Sequence, residues 1–139
     1  MIQSKMLVII IIASAIALGG GITTFAFGIP NSPCFGVAGT TRHFTVVADV
    51  NGYNDSRDNP APWPVISVHR CDQVAIKIIN DDTQTHGFAV DTYARGTDVV
   101  GGQQTTVQFL ATKSGNFRMY CIVFCTVHIL MQNGLLTVT

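Results

Sequence analysis

The chain has 139 residues, a formal net charge of zero and a sequence pI near 6.9. Only 12% of its residues are charged and no basic run occurs, which excludes a nucleic-acid face built on phosphate contacts. The mean hydropathy of +0.37 is high for a soluble domain, and the excess is concentrated at the N-terminus.

Residues Met6 to Gly28, MLVIIIIASAIALGGGITTFAFG, carry no charge. A run of about 20 apolar residues spans the ~30 Å hydrocarbon core as a helix. Three glycines, Gly19 to Gly21, weaken such a helix, but lipid tolerates them. Lys5 is the only charge before the run and Arg42 the first after it. The pattern predicts one N-terminal transmembrane helix in the cell membrane, with the following domain on the extracytoplasmic side. A cleaved signal peptide, with Met6 to Leu18 as its apolar region, is the competing reading and also exports the domain. The anchor is assigned to residues 1–29, a Gly-, Pro- and Ser-containing linker to 30–41, and one domain to 42–139.

From Arg42 onward no helical periodicity of useful length appears. Short β-type runs alternate with turn signals. HFTVVADV reads as a strand, and NGYNDSRDNPAP as a polar loop. WPVISV and QVAIKII are strands around the turn HRCD, the second with Val74, Ile76 and Ile78 on one face. HGFAV and QTTVQFLA follow, then GNFRMYC with Phe117, Met119 and Cys121 on one face, and finally GLLTVT. Seven or so short strands in about 100 residues predict an all-β, antiparallel sandwich or barrel.

Between the last two strands, YCIVFCTVHILM holds Cys121, Cys125, His128 and Met131. All four are soft or borderline metal ligands. Four ligands so close in sequence leave one side of an ion open, so a further ligand is required. His86, at a strand start in DDTQTHGFAV, is the best placed. His43 and His69 have no other ligands near them in sequence and read as ordinary histidines. A Cys121–Cys125 disulfide, or simple burial of both with Met131 in the core, leaves His128 unexplained. Zinc on two Cys and two His leaves Met131 unused. Copper uses all five residues. Assigning Cys121 and Cys125 to the cluster leaves Cys34 and Cys71 either as a disulfide pair, permitted outside the cytoplasm, or as unpaired thiols.

HGFAV followed by GNFRMYCIVFCTVHILMQNGLLTV resembles the cupredoxin domain of haem–copper oxidase subunit II and the CuA domain of nitrous oxide reductase. The likeness runs from about Arg42 to Thr139 and is strongest from Thr85. It implies a Greek-key β-sandwich carrying copper. The spacing here is Cys-x-x-x-Cys-x-x-His-x-x-Met, one residue shorter before the histidine than in that family. From Cys125 on, CTVHILM is similar to the mononuclear type 1 loop of amicyanin. Two copper arrangements follow. In the dinuclear one, preferred, the resemblance makes Cys121 and Cys125 bridges. It assigns His86 and Met131 to one ion, and His128 and the Val123 carbonyl to the other. In the mononuclear one, His86, Cys125 and His128 form a trigonal set, Met131 is a weak axial ligand and Cys121 is spare.

The resemblance implies the electron-receiving subunit of a terminal respiratory oxidase. Its partners would be the oxidase's haem-bearing subunit I and a soluble donor such as cytochrome c or a small cupredoxin. The chain alone shows no nucleophile–base pair, so any catalysis belongs to the complex. A free-standing copper electron carrier and a copper chaperone or assembly protein are the alternatives. The resemblance also suggests that an aromatic near the copper aids electron arrival; Trp63, the only tryptophan, is the candidate, against simple packing under its Pro-rich loop. The apolar residues Ile122, Val123, Phe124, Val127, Ile129 and Leu130 are expected to surround the cluster and exclude water.

Overall fold

The computed structural model describes residues 33–139; the expected transmembrane helix, within residues 1–29, lies outside them. Among the described residues no helix is long and apolar enough to cross a membrane. Ala38–Thr139 form one compact unit. Residues 33–37 belong to another, in which the Val37 N–H donates to the Cys34 carbonyl at 3.1 Å.

The compact unit is two facing sheets built from nine strands. These are β1 Thr41–Asp49, β2 Gly52–Tyr53, β3 Val65–Val68, β4 Gln73–Asn80, β5 His86–Val90, β6 Ala94–Val99, β7 Gln104–Leu110, β8 Gly115–Tyr120 and β9 Gly134–Val138. One sheet has the order β2-β1-β4-β7 and the other β3-β9-β8-β5-β6. The period-two pattern of β4 sends Val74, Ile76 and Ile78 into the core and Lys77 to solvent, as side-chain alternation requires. They meet Phe88, Met119 and Leu136 in one core cluster.

Two features differ from the sequence expectation. The sheets are mixed: β1 pairs parallel with β4, and β3 parallel with β9. After β1 the chain crosses to the other sheet for β3 and returns for β4 in the original direction, which a purely antiparallel meander cannot give. β2 and β6 are also additional strands. β2 is two residues inside the polar loop, and β6, ARGTDV, is an edge strand with little apolar patterning, so neither carries a periodic signal.

Candidate metal centre

The pairing of β5 with β8 brings the ligand-bearing segments together. Ala89 lies opposite Tyr120 and Val90 opposite Met119, so His86 and Cys121 come to the same end of adjacent strands. The Gly87 N–H donates to Cys121 Sγ at 3.2 Å. The loop after β8 closes on itself. The Cys121 N–H donates to the Met131 carbonyl at 2.9 Å, and the Gln132 amide donates to the Cys121 carbonyl at 3.0 Å. His128–Met131 form a 3-10 turn, leaving Met131 fully buried.

A ring nitrogen of His86 and the sulfurs of Cys121 and Cys125 lie within 4.8 Å of one another, and all three residues are buried. His86 Nε2 is 2.9 Å from the Asp82 carboxylate. A carboxylate only accepts, so Nε2 carries the proton, and in the neutral imidazole Nδ1 keeps a free lone pair. Nδ1 is the one buried side-chain nitrogen or oxygen without a hydrogen-bond partner among the described residues. A buried acceptor left unpaired is costly in a native fold unless something else binds it. An orphaned nitrogen on a buried imidazole that also lies close to two thiols fits a soft or borderline metal ion, with Asp82 holding the ring through its other nitrogen. Burial raises the Asp82 carboxyl, but hydrogen bonds from His86, Thr83 and Gln84 outweigh it and hold it below its ordinary range. Burial pushes the Cys125 thiol up, and the nearby Cys121 adds to this against a lowering hydrogen bond from the Val127 backbone.

His128 stands apart from this trio. Its Nδ1 is 2.8 Å from the Val123 carbonyl, and its Nε2 is 3.1 Å from the Gln132 amide nitrogen. The Cys121 thiol donates to the same Val123 carbonyl at 3.2 Å. The Val123 oxygen therefore sits between Cys121 and His128. Cys34 and Cys71 are both disulfide-bonded, while Cys121 and Cys125 are free. The Trp63 indole donates to the Asn54 carbonyl at 2.6 Å, within the polar loop. His43 and His69 lie on the surface.

The expected apolar shell is only partly a shell. Val127 is buried and Val123 and Leu130 half-buried, but Phe124 is 92% exposed, Ile129 78% and Ile122 43%. These three lie on the outer side of the segment between β8 and β9, where a short loop has no second layer to cover them.

Three further residues shape the site. Asp82 was visible as a charge four residues before His86, a spacing that permits a turn contact. Gln84 reaches across to the cysteine loop: its amide donates to Thr126 Oγ1 at 2.8 Å and accepts from the Thr126 N–H at 3.3 Å. Tyr53, fully buried, donates its hydroxyl to the Gly87 carbonyl. Burial pushes that hydroxyl far above its ordinary range, and the Cys121 and Cys125 thiols add to the effect. Neither Gln84 nor Tyr53 carries a sequence signal, because both contacts join segments distant in the chain.

No family profile matches the chain. Solved structures do align with it. A multicopper oxidase aligns over 70% of this chain and 42% of its own length, at 20% identity and a TM-score of 0.59. The copper nitrite reductase of Nitrosomonas europaea aligns over 70% and 41%, at 20% identity and a TM-score of 0.56. Auracyanin from the photosynthetic bacterium Roseiflexus castenholzii aligns over 73% of this chain and 99% of its own, at 14% identity and a TM-score of 0.56. The chain thus spans about two-fifths of the length of the first two proteins. At these identities the likeness is one of architecture, and the described sandwich has the cupredoxin fold.

Proposed function

We propose that the chain is a copper-binding electron-transfer protein, with its centre on His86, Cys121 and Cys125. The observation that carries this reading is the buried His86 ring, with its Nδ1 unpaired and a ring nitrogen within 4.8 Å of two buried free thiols. The copper named in the multicopper oxidase and nitrite reductase supports the same metal here. Copper bound there supplies a one-electron couple. The chain's residues hold the donor atoms between two sheets, so they need not move far when the charge changes. Asp82 fixes the His86 ring, and the core beneath excludes water. Phe124, Ile129 and Ile122 form an exposed apolar rim suited to brief contact with a redox partner.

Within this reading we favour the dinuclear arrangement. Cys121 is buried against both His86 and Cys125, which fits a shared thiolate better than a spare one. The Val123 carbonyl, flanked by Cys121 Sγ and His128 Nδ1, offers a second set of donors. The mononuclear reading draws on the shortened loop, which limits the reach of His128. In the oxidase-subunit role, the domain would accept electrons from a soluble donor outside the cell membrane and pass them to a haem-bearing subunit.

The test is the metal content and electron paramagnetic resonance spectrum of the full chain, extracted from membranes in detergent. About two coppers per chain are expected, with a purple, delocalised mixed-valence signal that Cys121→Ser destroys. One copper, with a spectrum unchanged in Cys121→Ser, would establish the mononuclear reading. A chain that takes up no copper would refute both.

A further inference from the structure

Tyr53 is a buried titratable residue that the copper reading leaves without a task. It sits in β2, opposite Ala48 of β1, on the sheet facing the one that carries His86 and Cys121. Its ring meets Phe88 edge-on at 5.7 Å. Its hydroxyl crosses between the sheets and donates to the Gly87 carbonyl. Gly87 in turn donates its N–H to Cys121 Sγ at 3.2 Å, and follows His86 directly in the chain. The neighbouring Gly52 lies under the ligand loop, where a Cβ would come within 2.9 Å of Leu130 Cβ. β2 therefore touches both segments that supply ligands.

We propose that Tyr53 is a positioning residue for the thiolate centre: by holding the Gly87 carbonyl it aims the Gly87 N–H at Cys121 Sγ. The proposal rests on the reading of Cys121 as a copper ligand. An N–H donor withdraws electron density from a thiolate sulfur. The sulfur then gives less charge to the oxidised ion, and the reduced state gains relative stability. Hydrogen bonding around a cysteine sulfur is a recognised means of tuning such potentials. Removing the hydroxyl leaves the Gly87 carbonyl buried without a donor. The 86–88 peptide then relaxes and its N–H drifts from the sulfur. A tyrosine that only fills the core would affect stability and leave the centre's electronic properties untouched.

The experiment uses the full chain in detergent, loaded with copper, as wild type and as Tyr53→Phe. Copper content is expected to stay at the wild-type value. The sulfur-to-copper charge-transfer band should move to lower energy. The ratio of oxidised to reduced protein at a fixed poise should rise up to about tenfold, or about 59 mV for one electron. In metal-free protein the Gly87 amide should exchange its proton faster than in wild type. Should Tyr53→Phe fail to fold, 3-fluorotyrosine at position 53 alone keeps the ring and strengthens the donor. It should move the band and the ratio the opposite way. Copper-loaded variants with band and potential unchanged would overturn the role of Tyr53 and leave the copper reading intact. Wild-type protein that binds no copper would overturn both, and copper content alone tells the two failures apart.

Discussion

Substituting Gly87 by alanine should damage both the fold and the centre, and the structure sets the scale. A Cβ at Gly87 would lie 2.4 Å from Ile122 Cγ1, 3.1 Å from the Ile122 backbone nitrogen and 3.1 Å from Val123 Cγ2. The first contact is far inside van der Waals distance. Ile122 Cδ1 lies 2.6 Å from where a Cβ on Gly96 would be, so the side chain packs closely over that glycine as well. The Ile122 side chain is wedged over two glycines on adjacent strands, and the backbone contact remains whatever its rotamer. The cysteine loop must therefore lift away from β5. Overpacking of this kind costs ~1–3 kcal/mol. For a domain near 100 residues that is a fall in Tm of roughly 5–15 °C. Thermal unfolding of the metal-free protein measures it directly. The double variant Gly87→Ala with Ile122→Ala isolates the cause, since removing the wedge should recover at least ~1 kcal/mol of the loss. Copper affinity should fall in the single variant and recover in the double. A Gly87→Ala protein as stable as wild type, or a loss that Ile122→Ala leaves unrelieved, would show that the loop does not press on β5 as described.

Asp82→Ala should weaken copper binding 10–100-fold by leaving His86 Nε2 without its acceptor, while Asp82→Asn, whose amide oxygen still accepts, should keep most of the affinity. Competition with a graded series of chelators measures this, and equal affinity for wild type and Asp82→Ala would remove Asp82 from the site. Asp72 should contribute to the acid dependence of stability. Burial opposes its ionisation, but hydrogen bonds from Thr40, His69 and Arg42 outweigh that and bring its pKa from 3.8 to about 2. A carboxyl depressed on folding stabilises the protein above its unfolded pKa, and that contribution disappears as pH falls through the folded one. About 2 kcal/mol should therefore be lost between about pH 4 and pH 2. Asp72→Asn should flatten denaturation midpoints across that window; an unchanged pH slope would count against the assignment.

The sequence by itself determined the strand class and one half of the centre. Val74, Ile76 and Ile78 alternate with smaller or charged neighbours, and that local period of two is enough to predict β4 and its buried face. Cys121, Cys125, His128 and Met131 are legible as a group because one short loop carries them all. The polar edge strand β6 and the brief β2 stayed hidden, since neither has a periodic apolar face to read. The direction of β1 against β4 was equally hidden, because parallel pairing arises from a crossover between sheets and leaves no mark within either strand. Only the tertiary structure decided which atoms meet. The register of β5 on β8 brings His86 to Cys121, and Asp82 settles which of its nitrogens stays free. The same folding turns Phe124 and Ile129 out to solvent although their hydrophobicity suggested a water-excluding shell. Tyr53 reaches Gly87 from the opposite sheet, a contact 34 residues apart in the chain. Local sequence constrains periodicity and ligand type, whereas the convergence of donor atoms depends on long-range pairing that no short window contains.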